Sequence, residues 1–341
     1  MTDPGITGTG WAVPKRIRED DDPVYSALDR TPGPTGVAEA DLFTGTGQRR
    51  VLSTDEEIES FMVDACQQAL DEAGLDATDV DRIYGYASVP AYFTPNSLYE
   101  VHARLGMRED SLVVPLNSDF SNFLLGVVHG HEAIVAGGCE RVLVVTGSNW
   151  TRHVDYRRGH AQAIGDGAGA AVLSPGGALR LVDHQTRTFG WGYSSMTMAV
   201  RPRQAHDWAG IPVGEDGHAA PTYLLEPDTG VEVYQTIMRD GLPDLVAELL
   251  ARHGLSGADV SLITHQGSRA LLDHWADRLS PAAYLETLER FGNLTHSTYP
   301  VNLALHAGAV QTPYVVIAAV GTGFHVTALL LRVDEALRPR Q

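Results

Sequence analysis

Cysteine is nearly absent: the 341 residues contain two, Cys66 and Cys139. Two thiols cannot build a disulfide framework, so an ordinary hydrophobic core in a reducing compartment has to hold the fold. Lysine is scarcer still, with Lys15 the only one, so every other fixed positive charge is an arginine. Positive charge as a whole is short, because 25 Lys and Arg against 43 Asp and Glu leave a formal charge of −18. That balance disfavours nucleic acid and anionic membrane as main partners, although a local basic patch can still meet an acidic one. No apolar run reaches the length of a membrane span, and MTDPGITGTG lacks the basic-then-apolar pattern of a secretory signal. The expectation is a cytoplasmic protein. What the chain does have is 43% hydrophobic and 20% charged residues, in a length sufficient for one large or two medium domains.

The most informative stretch is Ser111–Ser148, which reads as strand, sharp turn, buried helix, Gly-Gly stop and strand. Ser111–Leu116 and Arg141–Thr146 are short and Val-rich, as buried parallel strands are. Between them, Phe123, Leu124, Leu125, Val127, Val128, Ala133, Ile134 and Val135 leave little polar face. A helix apolar on nearly all sides belongs in the middle of a domain. Its N-terminus concentrates orphan N–H groups and the positive dipole end, with Asn117-Ser118-Asp119 as expected capping residues.

Along the chain, residues 4–13 read as a first strand and 14–47 as a variable polar segment. A helix from Asp55 carries the stripe Met62, Cys66, Ala69 and Ala73 and stops at Gly74. Strand Arg82–Ala87, a helix near Ser97–Leu105 and, after the central unit, a strand at Ala168–Leu173 follow. Residues 186–230 show no clear period and read as an insertion. The segment GLDATDVDRI (from Gly74) recurs as GLSGADVSLI (from Gly254), and ERVLVVTG (from Glu140) is echoed by PYVVIAAVG (from Pro313). Two echoes in the same order predict a duplicated α/β unit: an N-terminal half over 1–180 and a C-terminal half over 181–341.

With the motifs GITGTGWAVP, TGTGQRR, GDGAGAAVL, Thr264-His265-Gln266, Phe291-Gly292-Asn293 and Gly321-Thr322-Gly323-Phe324 in order, the chain resembles the β-ketoacyl-acyl-carrier-protein synthase III group of the thiolase superfamily. The resemblance runs over nearly the whole length. It implies a duplicated five-layer α/β/α/β/α thiolase-like fold, an acyl thioester on coenzyme A or an acyl carrier protein as substrate, and no metal or other cofactor. It also implies a homodimer, or a heterodimer with a related ketosynthase. In that family a cysteine at the start of the buried helix takes the acyl group, while a histidine and an asparagine bind a thioester carbonyl. His265 and Asn293 match the last two. His296, three residues on, and Phe324 are expected near the pocket.

The cysteine position does not match. Counted from one side it holds Phe120, from the other Asp119, and neither existing cysteine rescues it. Three readings follow. A serine, Ser118 or Ser121, takes over the nucleophile's role with His265 as its base, as in family members that carry serine there. Alternatively, His265 and Asn293 promote direct transfer or decarboxylation while Phe120 fills the thiol's space. Or the chain is a catalytically silent subunit that shapes the pocket of a cysteine-bearing paralogue. For Ser118, helix capping is the competing use.

The substrate side also departs from the family pattern. The tryptophan of the family's adenine clamp falls near Asp41 and one arginine at Gly45, leaving Arg158 to stack on adenine or form an ion pair. The weakened clamp points to a carrier-protein donor or an unusual thioester, and an acidic carrier protein would be met by Arg49, Arg50, Arg157, Arg158 and Arg269. The segment from Ala91 to Pro95 matches the loop that enters a partner's acyl pocket, with Phe93 and Thr94 at its tip. Thr94, smaller than the usual phenylalanine, implies a longer or branched acyl chain and specialised polyketide or fatty-acid-type biosynthesis.

Overall fold

The computed structural model describes residues 3–33, 36–199, 221–226 and 229–334. Its frame consists of β1 (Pro4–Ala12), β2 (Arg82–Ala87), β3 (Leu112–Pro115), β4 (Val142–Ser148), β5 (Gly167–Pro175), β6 (Leu179–Thr188), β7 (Val260–Thr264), β8 (Ala283–Tyr284), β9 (Tyr314–Gly321) and β10 (His325–Val333). Among the described residues these form one ten-stranded sheet in the order β8-β7-β9-β10-β6-β1-β5-β4-β2-β3. Read inward from either edge, the arrangement is the same: two parallel pairings, then two antiparallel ones. The halves join through a single pairing of Ile6 with Leu179.

Alternation along the strands sets the layers, because successive side chains point to opposite faces. In β4, Val142 and Val144 face the interior shared by both halves, while Leu143 and Val145 face α1 (Ile58–Ala73), beside which α2 (Leu98–Leu105) packs. In β9, Val315, Ile317 and Ala319 meet Phe123 and Val127 of α3 (Asn122–Val135). The opposite face of β9 packs on α4 (Leu242–Arg252) and α5 (Arg269–Leu279). With α6 (Thr298–His306) beside α3, two helices lie between the half-sheets and others cover the outside. This is the thiolase-like layered α/β fold.

The echoed segments are structural equivalents. α1 ends at Gly74 with φ +66°, and the Asp76–Asp79 capping box then leads toward β2. After α4, Gly254 has φ +65°, and the Ser256–Asp259 capping box leads into β7. A side chain at either glycine would be strained by the left-handed backbone. Asp166 of GDGAGAAVL is a tie rather than a reactive group. Its carboxylate accepts from Leu52 N at 2.8 Å, from Thr151 N at 3.0 Å and from the Thr151 hydroxyl.

Some expectations are corrected. α3 starts at Asn122, with Ser121 in the N-cap position and no side chain capping it, so Asn117-Ser118-Asp119 lies outside the helix. Its last turn reaches the surface, where Val135 is 59% exposed. Strand β6 has no counterpart in the sequence reading; its mixed polar pattern, LRLVDHQTRT, hides a strand exposed on one face. Within 186–230, Met196–Ala199 pairs antiparallel with Thr222–Leu225, and 200–220 lie outside the described residues. No helix among the described residues is long and apolar enough to cross a membrane.

The seat of α3 depends on Gly126, where a Cβ would stand 2.5 Å from Val144 Cγ1. Gly126→Leu should therefore lift the helix from β4 and destabilise the protein by about 1–3 kcal/mol, measured as a lower urea midpoint with an unchanged m-value.

Candidate active site

Three chain segments converge at the start of α3. The residue after β7 is His265, whose backbone N–H bonds Ala318 O at 3.0 Å and so continues the β7–β9 ladder. The turn after Gly292 presents Asn293, and residues 119–121 close the site from the α3 side. His265 and Asn293 are both buried, 2% and 4% exposed.

Their hydrogen bonds fix which atoms face each other. Asn293 Oδ1 accepts from Thr295 N at 2.9 Å, which turns Nδ2 toward His265 Nε2 at 3.5 Å. The Tyr299 hydroxyl lies 3.5 Å from His265 Nδ1. With Tyr299 donating, the ring carries its proton on Nε2, and two N–H donors converge on one point. Such a pair suits a carbonyl oxygen that gains negative charge. Burial pushes the His265 pKa down to about 3, so the ring is neutral near pH 7.

Phe120 lies flat on this imidazole, with ring centroids 5.3 Å apart and planes 18° from parallel, and Trp150 packs 5.1 Å away on it. The side chain of Ser121 goes elsewhere. Its Oγ is 2.7 Å from Nε2 of His325, whose Nδ1 lies 3.1 Å from the Thr322 carbonyl. The base expected for a serine, His265, is thus not the one present: Ser121 meets His325. Ser118 lines a cavity of about 890 Å³, but among the described residues its hydroxyl has no hydrogen-bond partner. The expected Ser118–His265 pairing does not form, because Ser118 sits in the loop before the turn and the ring of Phe120 covers His265.

The same cavity is lined by Tyr86, Ser88, Phe93, Asp119, Thr322 and His325. His296 stands behind it, 2.7 Å from Asp119 Oδ1, 3.0 Å from the Gly147 carbonyl and 3.2 Å from Ser88 Oγ. Phe93 is 87% exposed at the rim, with Thr94 exposed beside it. Phe324, expected near the pocket, is not among the residues that line this cavity. It takes φ +49° and buries its ring in the core against Gly192. Arg158 makes the ion pair rather than offering a free stacking face: it holds Glu39 and donates to the Leu225 carbonyl at 2.9 Å. The expected basic patch is largely neutralised, since Arg49 pairs with Asp20, Arg157 with Asp155 and Arg269 with Glu286.

The cysteines are remote from this geometry. Cys66 is buried within α1, where desolvation raises its pKa strongly, and Cys139 precedes β4 at the far end of α3. Sequence reasoning stops at Phe324 and misses His325; a histidine directly following the glycine turn is the one available signal. Tyr299 and the Asp119–His296 pair carry none, because only tertiary packing joins them.

Two mirrored half-sheets with an imidazole and a carboxamide meeting at a buried helix start define a thiolase-like protein of the condensing-enzyme type. The sequence model for 3-oxoacyl-[acyl-carrier-protein] synthase III matches residues 116–190, and that for its C-terminal part matches 250–333. Beta-ketoacyl-[acyl-carrier-protein] synthase III of Synechococcus elongatus is 32% identical over 97% of this chain and 98% of its own. The solved synthase III of Aquifex aeolicus superposes with a TM-score of 0.79 at 22% identity, covering 96% of this chain and 99% of that one. The priming β-ketosynthase of the R1128 polyketide pathway gives 0.81 at 22%, covering 98% and 97%. This chain belongs to the β-ketoacyl-acyl-carrier-protein synthase III family.

The neutral buried imidazole has a thermodynamic consequence. Its folded pKa, about 3, lies below the ordinary 6.5, so its contribution to stability is full above pH 6.5 and is lost as pH falls toward 3. Asp166, raised by burial to about 6, has the opposite sign: its contribution is lost as pH rises from about 4 to 6. In His265→Gln the first effect disappears. The drop in unfolding free energy between pH 7 and pH 5 should shrink by about 2 kcal/mol relative to wild type, measured by urea titration at both pH values.

Proposed function

We propose that this protein is a ketosynthase III-type acyltransferase that acts on an acyl thioester without a cysteine acyl-enzyme, in specialised polyketide or fatty-acid-type biosynthesis. The observation that carries this reading is the convergence of His265 Nε2 and Asn293 Nδ2, 3.5 Å apart in a buried site. A scaffold has no need of two donors aimed at one point, since each costs desolvation that only a bound acceptor offsets. In this reading the pair binds the thioester carbonyl and stabilises the enolate or tetrahedral oxyanion, and no metal takes part. The chain works as two halves, 1–180 and 181–341, in a dimer with itself or a related ketosynthase, and the exposed Phe93 loop supports such pairing.

A carrier-protein phosphopantetheine is the favoured thioester carrier. Arg158, the one remaining arginine of the adenine clamp, is held by Glu39, which leaves a coenzyme A nucleotide little to bind. The silent-subunit reading has one observation in its favour, the Phe120 ring lying flat on His265.

Turnover of acyl thioesters decides between the two. His265→Ala and Asn293→Ala should each lower kcat by roughly 10²–10³-fold, the usual cost of removing an oxyanion donor. Thioester consumption only after a cysteine-bearing paralogue is added would establish the silent subunit instead. Acyl-pantetheine and acyl-coenzyme A should differ by less than about tenfold in kcat/KM, or about 1.4 kcal/mol. A strong preference for acyl-coenzyme A would show that the nucleotide is bound.

A further inference from the structure

We propose that Ser121 is the residue acylated by the thioester and that His325 is its general base, a reading that rests on the acyltransfer activity above. The turn before α3 sends neighbouring side chains to different walls. Phe120 goes to His265, and Ser121 to His325 at the head of β10. The bond to the Thr322 carbonyl at 3.1 Å requires the His325 proton on Nδ1. Nε2 therefore presents a lone pair to the Ser121 hydroxyl at 2.7 Å, the arrangement a serine needs to become a nucleophile. Burial lowers the pKa of His325, and the charged group facing it is Asp119, which acts in the opposite direction. The ring is thus neutral and able to accept a proton near pH 7.

Three further features favour a built site. Gly321, opposite the ring on the β9–β10 turn, is placed so that a Cβ would overlap Nε2 and Cε1 of His325; the absence of a side chain there is what lets the ring reach Ser121. His325 also lines the 890 Å³ cavity, with Ser121 buried directly behind it, so the base borders a space large enough for an acyl chain. As the N-cap of α3, with no side chain capping the helix, Ser121 also lies where the first-turn dipole favours a developing oxyanion.

The step balances without a further reactant. Ser121 Oγ bonds to the thioester carbonyl carbon while its proton moves to His325 Nε2. The C–S bond then breaks, and the proton leaves with the thiolate as a free thiol. An acceptor hydroxyl, amine or water next attacks the acyl-serine ester, its proton returning through His325 to Ser121 Oγ.

The test uses the full chain and N-acetylcysteamine thioesters from acetyl to octanoyl, followed by intact mass and peptide mapping. The expected result is one acyl adduct on Ser121, absent in Ser121→Ala and retained in Ser121→Cys, which keeps a nucleophile of similar size. His325→Gln should slow single-turnover acylation by roughly 10²–10⁴-fold and abolish the acid limb expected of the wild type below pH 6.5. An adduct mapped to Ser118 or any residue other than Ser121, or turnover that persists in Ser121→Ala, overturns the dyad while leaving acyl transfer intact. Absence of both adduct and thioester consumption across the panel overturns the acyltransfer reading itself.

Discussion

The start of α3 is pressed between two half-sheets, and that confinement governs the site. Gly126 lets the helix sit against β4, which fixes where its first turn arrives. At that point Phe120 and Ser121 are both buried, with nowhere to go but the walls supplied by β7 and β10. One wall offers an imidazole face and the other an imidazole nitrogen. An aromatic ring suits the first, and a hydroxyl satisfies the second. Dense packing leaves no intermediate arrangement, because interiors of this kind admit neither voids nor unpaired polar groups cheaply.

The polar groups around the turn form two separate sets. His265, Asn293, Tyr299 and Thr295 make one, in which a neutral ring and a carboxamide present donors. Asp119, His296, Ser88, His325 and Ser121 make the other; Asp119, Ser88 and His325 line the cavity, His296 and Ser121 are buried behind them, and the set holds both a carboxylate and a base. Phe120 stands against the first set. A cysteine in its place could face His265 directly, whereas a phenyl ring fills that space, and the hydroxyl able to act lies one residue further on. In the proposed reaction, carbonyl binding and nucleophilic attack fall to neighbouring positions rather than to a single point.

Away from the site, the arginines show how little a residue type reveals about its use. Arg49 is buried beneath Asp20 and the Gln162 carbonyl, and Arg158 is spent on Glu39. Each is a structural cross-link between the variable N-terminal segment and residues near β5. The chain carries −18 overall, and these two arginines are committed to carboxylates within the fold.

Periodicity and local chemistry were enough to announce the layers. The Val-rich runs at Ser111–Leu116 and Arg141–Thr146 and the glycine stop at Gly74 are local signals, and the duplicated unit follows from the two ordered echoes that begin at Gly74 and Gly254 and at Glu140 and Pro313. Strand β6 was hidden because one of its faces is exposed, which dilutes the apolar pattern that marks a buried strand. His265 and Asn293 were identifiable as a pair through a family pattern, but their shared hydrogen-bond direction depends on Tyr299 and Thr295, which no spacing rule links to them. Ser121 and His325 are 204 residues apart, and only the stacking of two half-sheets brings them to hydrogen-bond distance. The amino-acid order alone determined that two like halves would bury a helix between them. Which side chain at the head of that helix meets which ring was decided by tertiary packing, since the choice rests on the space left by Gly321 and taken by Phe120.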